Sequence, residues 1–291
     1  MIIDLRNNGG GSLTEAISLT GLFISKGPVV QVKSSSGEVD VESDNDPSIA
    51  YDGPLVVMVN RFSASASEIF AAAIQDYKRG VIVGENTFGK GTVQQLLDLN
   101  QMVPKEASQL GGLKITTAKF YRINGSSTQI KGVVPDIELP TAFKAHEYGE
   151  ASEKTALPWD QIKSATFEPV NIVNESLLQT LTEQHKVRLK SDEDLKKMEV
   201  NLEAFKKARD NKMVSLKESV RKKEREEAEK KREAMNQTGT EAVLDDEDDE
   251  SSAEAVAKKV KKDVYLMESG RILSDLITET SKPVIVKGKK K

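Results

Sequence analysis

The sequence contains no cysteine, only two histidines and a single tryptophan in 291 residues. Without cysteine the protein has no disulfides, no metal site built from thiolates and no cysteine nucleophile. His146 and His185 are the only histidines available to a catalytic mechanism or a metal site. Nothing else in the sequence implies a metal or a cofactor, and we expect neither.

Long apolar runs and a strong charge imbalance are also missing. The start, MIIDLRNNGGG, has no basic segment followed by an apolar stretch, so it does not predict a signal peptide. No run is long enough to span a bilayer. The net charge of −4, from 42 basic and 46 acidic residues, gives no overall attraction to nucleic acid, and we expect no nucleic-acid partner.

The first residues, MIIDL, predict a buried strand that begins without any lead-in segment. A strand that is buried in a parallel sheet needs neighbours on both sides. We therefore expect that the chain starts within a larger protein and that its first domain is incomplete at the N-terminus.

Residues 1–140 form the first predicted domain, in which apolar strands alternate with helical segments. This alternation is typical of an α/β domain. The predicted helices cover residues 13–24 and 63–77. The predicted strands cover residues 2–5, 28–33, 54–60, 80–84 and 114–122, and residues 133–137 close the region.

Residues 141–291 form a second predicted domain, which is mainly helical. Helical patterns cover residues 173–189, 192 to about 236, and 264–279. The second pattern begins with an apolar stripe from Leu195 to Phe205 and continues into KESVRKKEREEAEKKREAM, whose interleaved charges are typical of a solvated helix. The acidic stretch LDDEDDESS, residues 244–252, predicts a disordered linker.

The stretch GENTFGKGT, residues 84–92, is close to a phosphate-binding P-loop but departs from it at the residue that would bind the metal ion. A P-loop has Ser or Thr after its lysine, to bind Mg²⁺, whereas here Gly91 follows Lys90. A P-loop also opens a helix, and the following TVQQLL predicts a strand at least as well as a helix. Lys90 therefore needs another explanation.

The stretch NRFSASASEIFAAAIQDY, residues 60–77, allows two interpretations. In the first, Ser65 and Glu68 form a capping box at the start of a helix and have no other role. In the second, Ser65 is a nucleophile at a strand-to-helix turn, where the unpaired N–H of Ala66 supplies half of an oxyanion hole. The other half would come from the glycine-rich run at residues 7–11, because glycine can expose its N–H in conformations closed to other residues.

A serine nucleophile needs a base. His146 and His185 both lie outside the α/β segment, and we expect each to be an ordinary surface residue. Lys90 lies in a glycine-rich loop after a buried strand. Burial disfavours a charged ammonium group, and a neutral lysine can take the proton of a serine.

Four motifs, in this order, resemble the protease core of the carboxyl-terminal processing (tail-specific) peptidases: DLRNNGGG, NRFSASASEIFAAAIQDY, GENTFGKGTVQQ and LKITTAKFYRINGSSTQIKGVVPDI. The resemblance covers about half of the chain. It implies a crotonase-like α/β fold and a serine endopeptidase with a Ser–Lys dyad. The stretch EYGEASEKTALPWDQI, residues 147–162, and the charged helices after it resemble the C-terminal domain of the tail-specific members.

The resemblance also implies roles for individual residues. Ser65 matches the nucleophile and Lys90 the base. Gln94 matches a glutamine that orients the lysine. Ala66 and a glycine of the GGG run, best matched by Gly11, correspond to the oxyanion hole.

Three further residues match family positions with less direct roles. Asp76 matches an aspartate that is sometimes counted as a third catalytic member. Eleven residues along a continuous helix span about 16 Å, which is too far for Asp76 to touch Ser65. Glu68 and Thr87 are expected to support the site.

Members of this family carry a signal sequence, an N-terminal region and a PDZ domain before the DLRNNGGG motif, which stands almost at the start of this sequence. The resemblance implies protein or peptide substrates cleaved near their C-termini, an adaptor lipoprotein as a further partner, and a periplasmic or inner-membrane-associated location. Two alternatives remain open: an inactive fragment, and a non-enzymatic adaptor that binds a partner protein through the charged helices.

Overall fold

The structure is a computed structural model that describes residues 1–102, 110–143, 147–210, 213, 215–223, 225–226 and 263–282. Its strands are β1 (Ile2–Asp4), β2 (Gly27–Ser34), β3 (Val39–Asp44), β4 (Val56–Val59), β5 (Val81–Gly84), β6 (Thr92–Asp98), β7 (Gly112–Tyr121) and β8 (Ile137–Glu138). Its α-helices are α1 (Leu13–Gly21), α2 (Ala66–Asp76), α3 (Glu175–Ser191), α4 (Glu193–Asp210) and α5 (Val264–Thr280).

A parallel sheet in the order β1-β4-β5-β8 forms the centre of the protein. All residues of β4 and β5 are buried, as expected of parallel strands that are covered on both faces. Side chains alternate between the two faces of a strand. Accordingly, Val57 and Val59 pack with residues of α2, whereas Val56 packs with residues of α3 and α5.

The second sheet is antiparallel and has the order β3-β2-β7-β6. Helix α2 contacts both β5 and β2, so it lies between the two sheets. The ambiguous stretch after Lys90 is a strand, β6, which begins at Thr92. Strand β3 was not predicted, because its polar, partly exposed sequence VDVESD lacks the apolar character of the other strands.

The C-terminal helices cover the face of the parallel sheet that α2 does not occupy. Leu181 of α3 and two residues of α5, Ile272 and Leu276, are fully buried in one cluster with Val56 and Val81. The expected fold class, an α/β core followed by a mainly helical C-terminal part, is confirmed.

Two sequence-based expectations about the helical part are wrong. The helix predicted from residue 192 to about 236 is interrupted, since α4 ends at Asp210 and Met213 is not helical. The charged sequence makes helix formation locally favourable beyond this point, but Met213 and Leu216 are 85% and 98% exposed and bury little apolar surface that would stabilise a continuous helix. His185 is not a surface residue, because it is buried against Glu268 of α5.

Some expectations fall on parts of the chain that are not described. His146 and the acidic stretch at 244–252 lie outside the described residues. Among the described residues, no helix combines the length and the apolar character needed to cross a membrane.

Candidate active site

Ser65 occupies a strained turn between β4 and α2. Its φ of 58° and ψ of −115° lie in a region that residues other than glycine rarely adopt. Ser65 is the N-cap of α2, and one half of the predicted capping box is made: the side chain of Glu68 accepts from the N–H of Ser65 at 2.8 Å, whereas the N–H of Glu68 donates to the backbone carbonyl of Ser65 at 2.9 Å. The turn therefore presents Ser65 at the positive end of a fully formed helix, where a developing negative charge is stabilised.

The glycine-rich run lies directly against this turn. Gly10 has a φ of 95°, and a Cβ atom added to it would lie 2.8 Å from the nitrogen of Ala66 and 2.8 Å from the Cβ of Ser65. A Cβ atom added to Gly11 would meet only open space. Among the described residues, neither the N–H of Ala66 nor that of Gly11 donates a hydrogen bond. The arrangement leaves two unpaired backbone donors close to Ser65.

Hydrogen bonds fix the glycine-rich run to the serine turn. The carbonyl of Asn8 accepts from the N–H of Ala64 at 3.0 Å and from the hydroxyl of Ser67 at 3.1 Å. The N–H of Asn7 donates to the side-chain oxygen of Asn60 at 2.9 Å, and the Asn60 amide donates back to Asn7 at 2.8 Å. Residues 7–10 and 60–67 therefore form one interlocked unit.

Glu68 joins the serine turn to the lysine loop. Its Oε2 accepts from the N–H of Ser65 at 2.8 Å and from the N–H of Lys90 at 3.0 Å. Because one oxygen accepts both bonds, the two backbone nitrogens are no farther apart than the sum of these distances. Lys90 therefore starts from a backbone position within side-chain reach of Ser65.

The other oxygen of Glu68 holds the residues just before Lys90. Oε1 accepts from the hydroxyl of Thr87 at 2.6 Å and from the N–H of Gly89 at 2.7 Å. The hydroxyl of Thr87 in turn accepts from the N–H of Val133 at 2.7 Å. Burial raises the pKa of Glu68 to about 7, and the hydrogen bonds from Thr87, Gly89, Ser65 and Lys90 oppose this rise.

Gln129 holds the lysine loop from its other side. Its side chain is fully buried, and its Oε1 accepts from the N–H of Gly91 at 2.8 Å. Its Nε2 donates to Glu150 at 2.9 Å. The neighbouring Ile130 has a φ of 67° and donates its N–H to the carbonyl of Gly89 at 2.7 Å. Positive φ is unusual for a β-branched residue, so this segment is held in place by its surroundings.

Two family models match consecutive parts of the chain. Residues 1–139 match the family model for peptidase family S41, and residues 143–278 match the model for the C-terminal domain of tail specific protease. The tail-specific protease of Haemophilus influenzae is 44% identical over 284 residues, which cover 95% of this chain and 40% of that protein.

The chain belongs to peptidase family S41.

Other relatives match the S41 part alone. The chloroplastic C-terminal processing peptidase of Tetradesmus obliquus is 39% identical over 139 residues, or 48% of this chain and 28% of that protein. Among solved structures, the photosystem II D1 C-terminal processing protease is 38% identical with a TM-score of 0.42, over 47% of this chain and 34% of that one. The chain thus spans less than half the length of these relatives.

Two residues that the family resemblance singled out lie apart from the cluster around Glu68. Gln94 is on β6 opposite Thr116, where its side chain is exposed and makes no hydrogen bond to Lys90. Asp76 ends α2, whereas Ser65 begins it, and its carboxylate forms a 2.6 Å ion pair with Arg122. Burial raises the pKa of Asp76, and the charge of Arg122 opposes that rise.

Sequence reasoning did not find Gln129 or Glu150. Both are polar residues in loops, and no motif in the sequence distinguishes a buried glutamine from an exposed one. The position of Gln129 shows in the structure, where its side chain accepts from the N–H of Gly91 and where a Cβ added to Gly91 would lie 2.7 Å from the Gln129 nitrogen. In the described part of the chain, no group of histidine, aspartate and glutamate residues could hold a metal ion.

Proposed function

We propose that this S41 chain carries the catalytic centre of a serine endopeptidase that cleaves proteins near their C-termini, with Ser65 as the nucleophile and Lys90 as the base. The observation that carries the proposal is the pair of hydrogen bonds that Ser65 and Lys90 donate to one oxygen of Glu68. The reaction type agrees with the names of the relatives, which are tail-specific and C-terminal processing peptidases.

The first half of the reaction forms an acyl-enzyme. The neutral amine of Lys90 takes the proton of the Ser65 hydroxyl while Oγ attacks the carbonyl carbon of the scissile peptide. The carbonyl oxygen becomes an oxyanion, which the N–H groups of Ala66 and Gly11 stabilise. The C–N bond then breaks, and the ammonium of Lys90 returns the proton to the leaving amine.

The second half releases the new C-terminus. Lys90, neutral again, takes a proton from water as the water oxygen attacks the ester carbonyl. The bond between the acyl carbon and Oγ breaks, and Lys90 protonates the Ser65 oxygen. Serine and neutral lysine are both restored, and no cofactor takes part.

Other residues act around this pair. Glu68 and Thr87 fix the backbone of the loop that carries Lys90. The role of Gln94 in orienting the lysine, and that of Asp76 as a third catalytic member, rest on the family resemblance alone.

The setting of the reaction is also a proposal. We infer a peptidase core at residues 1–140 and a tail-specific C-terminal domain at 141–291. The substrates are proteins or peptides, and an adaptor lipoprotein is a further partner. By the same resemblance, the reaction takes place in the periplasm or at the inner membrane.

A fluorophosphonate probe that reacts with activated serines tests the dyad. We expect labelling at Ser65, located by peptide mass, and its loss in Ser65→Ala and Lys90→Ala. Lys114→Ala is the matched control, because Lys114 is an exposed lysine on β7. Labelling that persists in Lys90→Ala would reject lysine as the base, and an unlabelled wild-type chain would favour the adaptor or the inactive fragment.

A further inference from the structure

A largely buried ion pair connects the start of the chain to helix α5. The guanidinium of Arg6 donates from Nη2 to Oδ2 of Asp263 at 2.6 Å and from Nη1 to Oδ1 at 3.1 Å. The side chains of Arg6 and Asp263 are only 17% and 16% exposed. The same guanidinium also donates to Asp4, with its shortest contact at 2.6 Å. Two-pronged, poorly solvated pairs of this kind hold their partners in a defined geometry.

The Asp263 end of this pair is fixed. Asp263 is the N-cap of α5, and its Oδ1 also accepts from the N–H of Leu266 at 2.9 Å. Helix α5 is anchored on the parallel sheet by Ile272 and Leu276, both fully buried. Glu268, also on α5, accepts from Arg188 of α3 at 2.8 Å. Arg6 is therefore attached to a helix that has little freedom to move.

On the other side of the pair, Arg6 directly precedes the glycine-rich run that packs against the serine turn. Arg6 is followed by Asn7, which has a φ of 60° and exchanges two hydrogen bonds with Asn60. The next residue, Asn8, binds the serine turn through Ala64. Gly10 lies in contact with Ser65 and Ala66. Only a few residues, each held by hydrogen bonds or close contacts, separate Arg6 from the unpaired N–H groups of Gly11 and Ala66. A displacement of Arg6 is therefore expected to displace these N–H groups as well.

We propose that Arg6 and Asp263 are positioning residues, through which helix α5 holds the glycine-rich run in place for the oxyanion hole. This inference rests on the proposed function for its effect on catalysis. It assigns the C-terminal helices a part in the active site, although none of their described residues forms a hydrogen bond or ion pair with Ser65 or Lys90.

Asp263→Asn is the most informative variant. Asparagine is as good an N-cap as aspartate, so the start of α5 is kept while the charge that holds Arg6 is lost. Arg271→Gln is the matched control, because it breaks another ion pair of the same helix, with Asp192 at 2.9 Å, away from the glycine-rich run. Arg6→Lys is a second variant, which keeps the charge but cannot form the two-pronged contact.

We expect Asp263→Asn to slow fluorophosphonate labelling of Ser65, and kcat for a peptide substrate, by roughly 10- to 100-fold, because small misplacements of a catalytic group cost this much. KM is expected to stay unchanged. Arg6→Lys should also lower the labelling rate and kcat, and Arg271→Gln should leave both at the wild-type value. A wild-type labelling rate in both Asp263→Asn and Arg6→Lys would overturn the proposal.

Amide hydrogen exchange in the intact chain gives a second readout that does not depend on catalysis. The N–H groups of Asn7, Asn8 and Gly10 are hydrogen-bonded, so they should exchange faster in Asp263→Asn and Arg6→Lys than in Arg271→Gln, while those inside α2 are unchanged. If the wild type is not labelled but this exchange still rises, the peptidase assignment fails and the positioning link stands. Unchanged exchange at these three residues contradicts the link, and Arg6→Lys decides the matter if Asp263→Asn does not fold.

Discussion

Glu68 is a fully buried carboxylate whose two oxygens accept four hydrogen bonds, from Ser65, Thr87, Gly89 and Lys90. Three of these donors belong to the lysine loop and one to the serine turn. A carboxylate suits this task better than an amide, because an amide offers a single acceptor oxygen. Its burial opposes ionisation, so the link between the two loops depends on pH.

The direction of this dependence follows from the pKa of Glu68, which rises from 4.5 to about 7 in the folded protein. Between these values the unfolded chain loses its proton while the folded protein keeps it. The contribution of Glu68 to stability is therefore present below pH 4.5 and is lost as the pH rises through about 7. The loss is up to about 3 kcal/mol.

Urea unfolding of the wild type and of Glu68→Gln, measured from pH 4.5 to 7.5, tests this expectation. The free energy of unfolding of the wild type, relative to that of the variant, should fall as the pH rises. Glu15→Gln, at an exposed position of α1, is the control and should follow the wild type. A difference that stays flat would show that Glu68 ionises at its ordinary pKa, and a difference that grows with pH would show that folding lowers its pKa; either outcome contradicts the prediction.

At the scale of elements, the glycine-rich run between β1 and α1 combines one crowded glycine with two that have open space around them. Its glycines are not equivalent. An added Cβ at Gly10 would lie 2.6 Å from the carbonyl oxygen of Ala64, with φ at 95°, whereas a Cβ at Gly9 would meet nothing within 4 Å. Two neighbouring residues of the same type thus differ completely in the space around them.

We expect Gly10→Ala to abolish serine labelling and to lower the free energy of unfolding by roughly 1–3 kcal/mol, the usual cost of a strained backbone position. Gly9→Ala is the matched control and should keep both properties. Thermal melting and probe labelling of the two variants measure the effect. Equal behaviour of the two variants would mean that the run does not pack against the serine turn as described.

Most elements could be predicted from the sequence, because their patterns are local. The apolar run around Val57 and the alanine-rich helix after Ser65 are examples. The exposed strand β3 and the end of α4 at Asp210 could not be predicted, because neighbouring elements rather than local patterns decide them. In the site, the capping box identified Glu68, but its bonds to Gly89 and Lys90 join residues about twenty positions apart, and no local pattern records such a pairing.

At the scale of the whole molecule, the two matched regions share one hydrophobic cluster. Val56 and Val81 of the parallel sheet pack with Leu181, Ile272 and Leu276 of the C-terminal helices. The boundary between the family models, near residue 140, therefore crosses a continuous core. Such packing favours unfolding of the described elements as one unit.

Leu276→Ala tests this expectation, with Ile277→Ala as its neighbour on the same helix. Leu276 is 0% exposed and Ile277 is 46% exposed. Truncating Leu276 should lower the free energy of unfolding by about 2–5 kcal/mol, and truncating Ile277 by much less. Serine labelling during a thermal ramp should disappear at the lowered midpoint of Leu276→Ala. Labelling that outlasts the loss of helical signal would show that the core is stable without its helices.

The side chains of β4 and β5 alternate between two packing layers, and this alternation constrains hybrid proteins built from two family members. Val57, Val59 and Ile82 belong to the layer beneath α2, whereas Val56, Val81 and Val83 belong to the layer beneath α3 and α5. A hybrid protein that takes its C-terminal helices from a relative would need to inherit the second set of valine positions from that same relative. The first set, and the catalytic turn above it, can stay as they are.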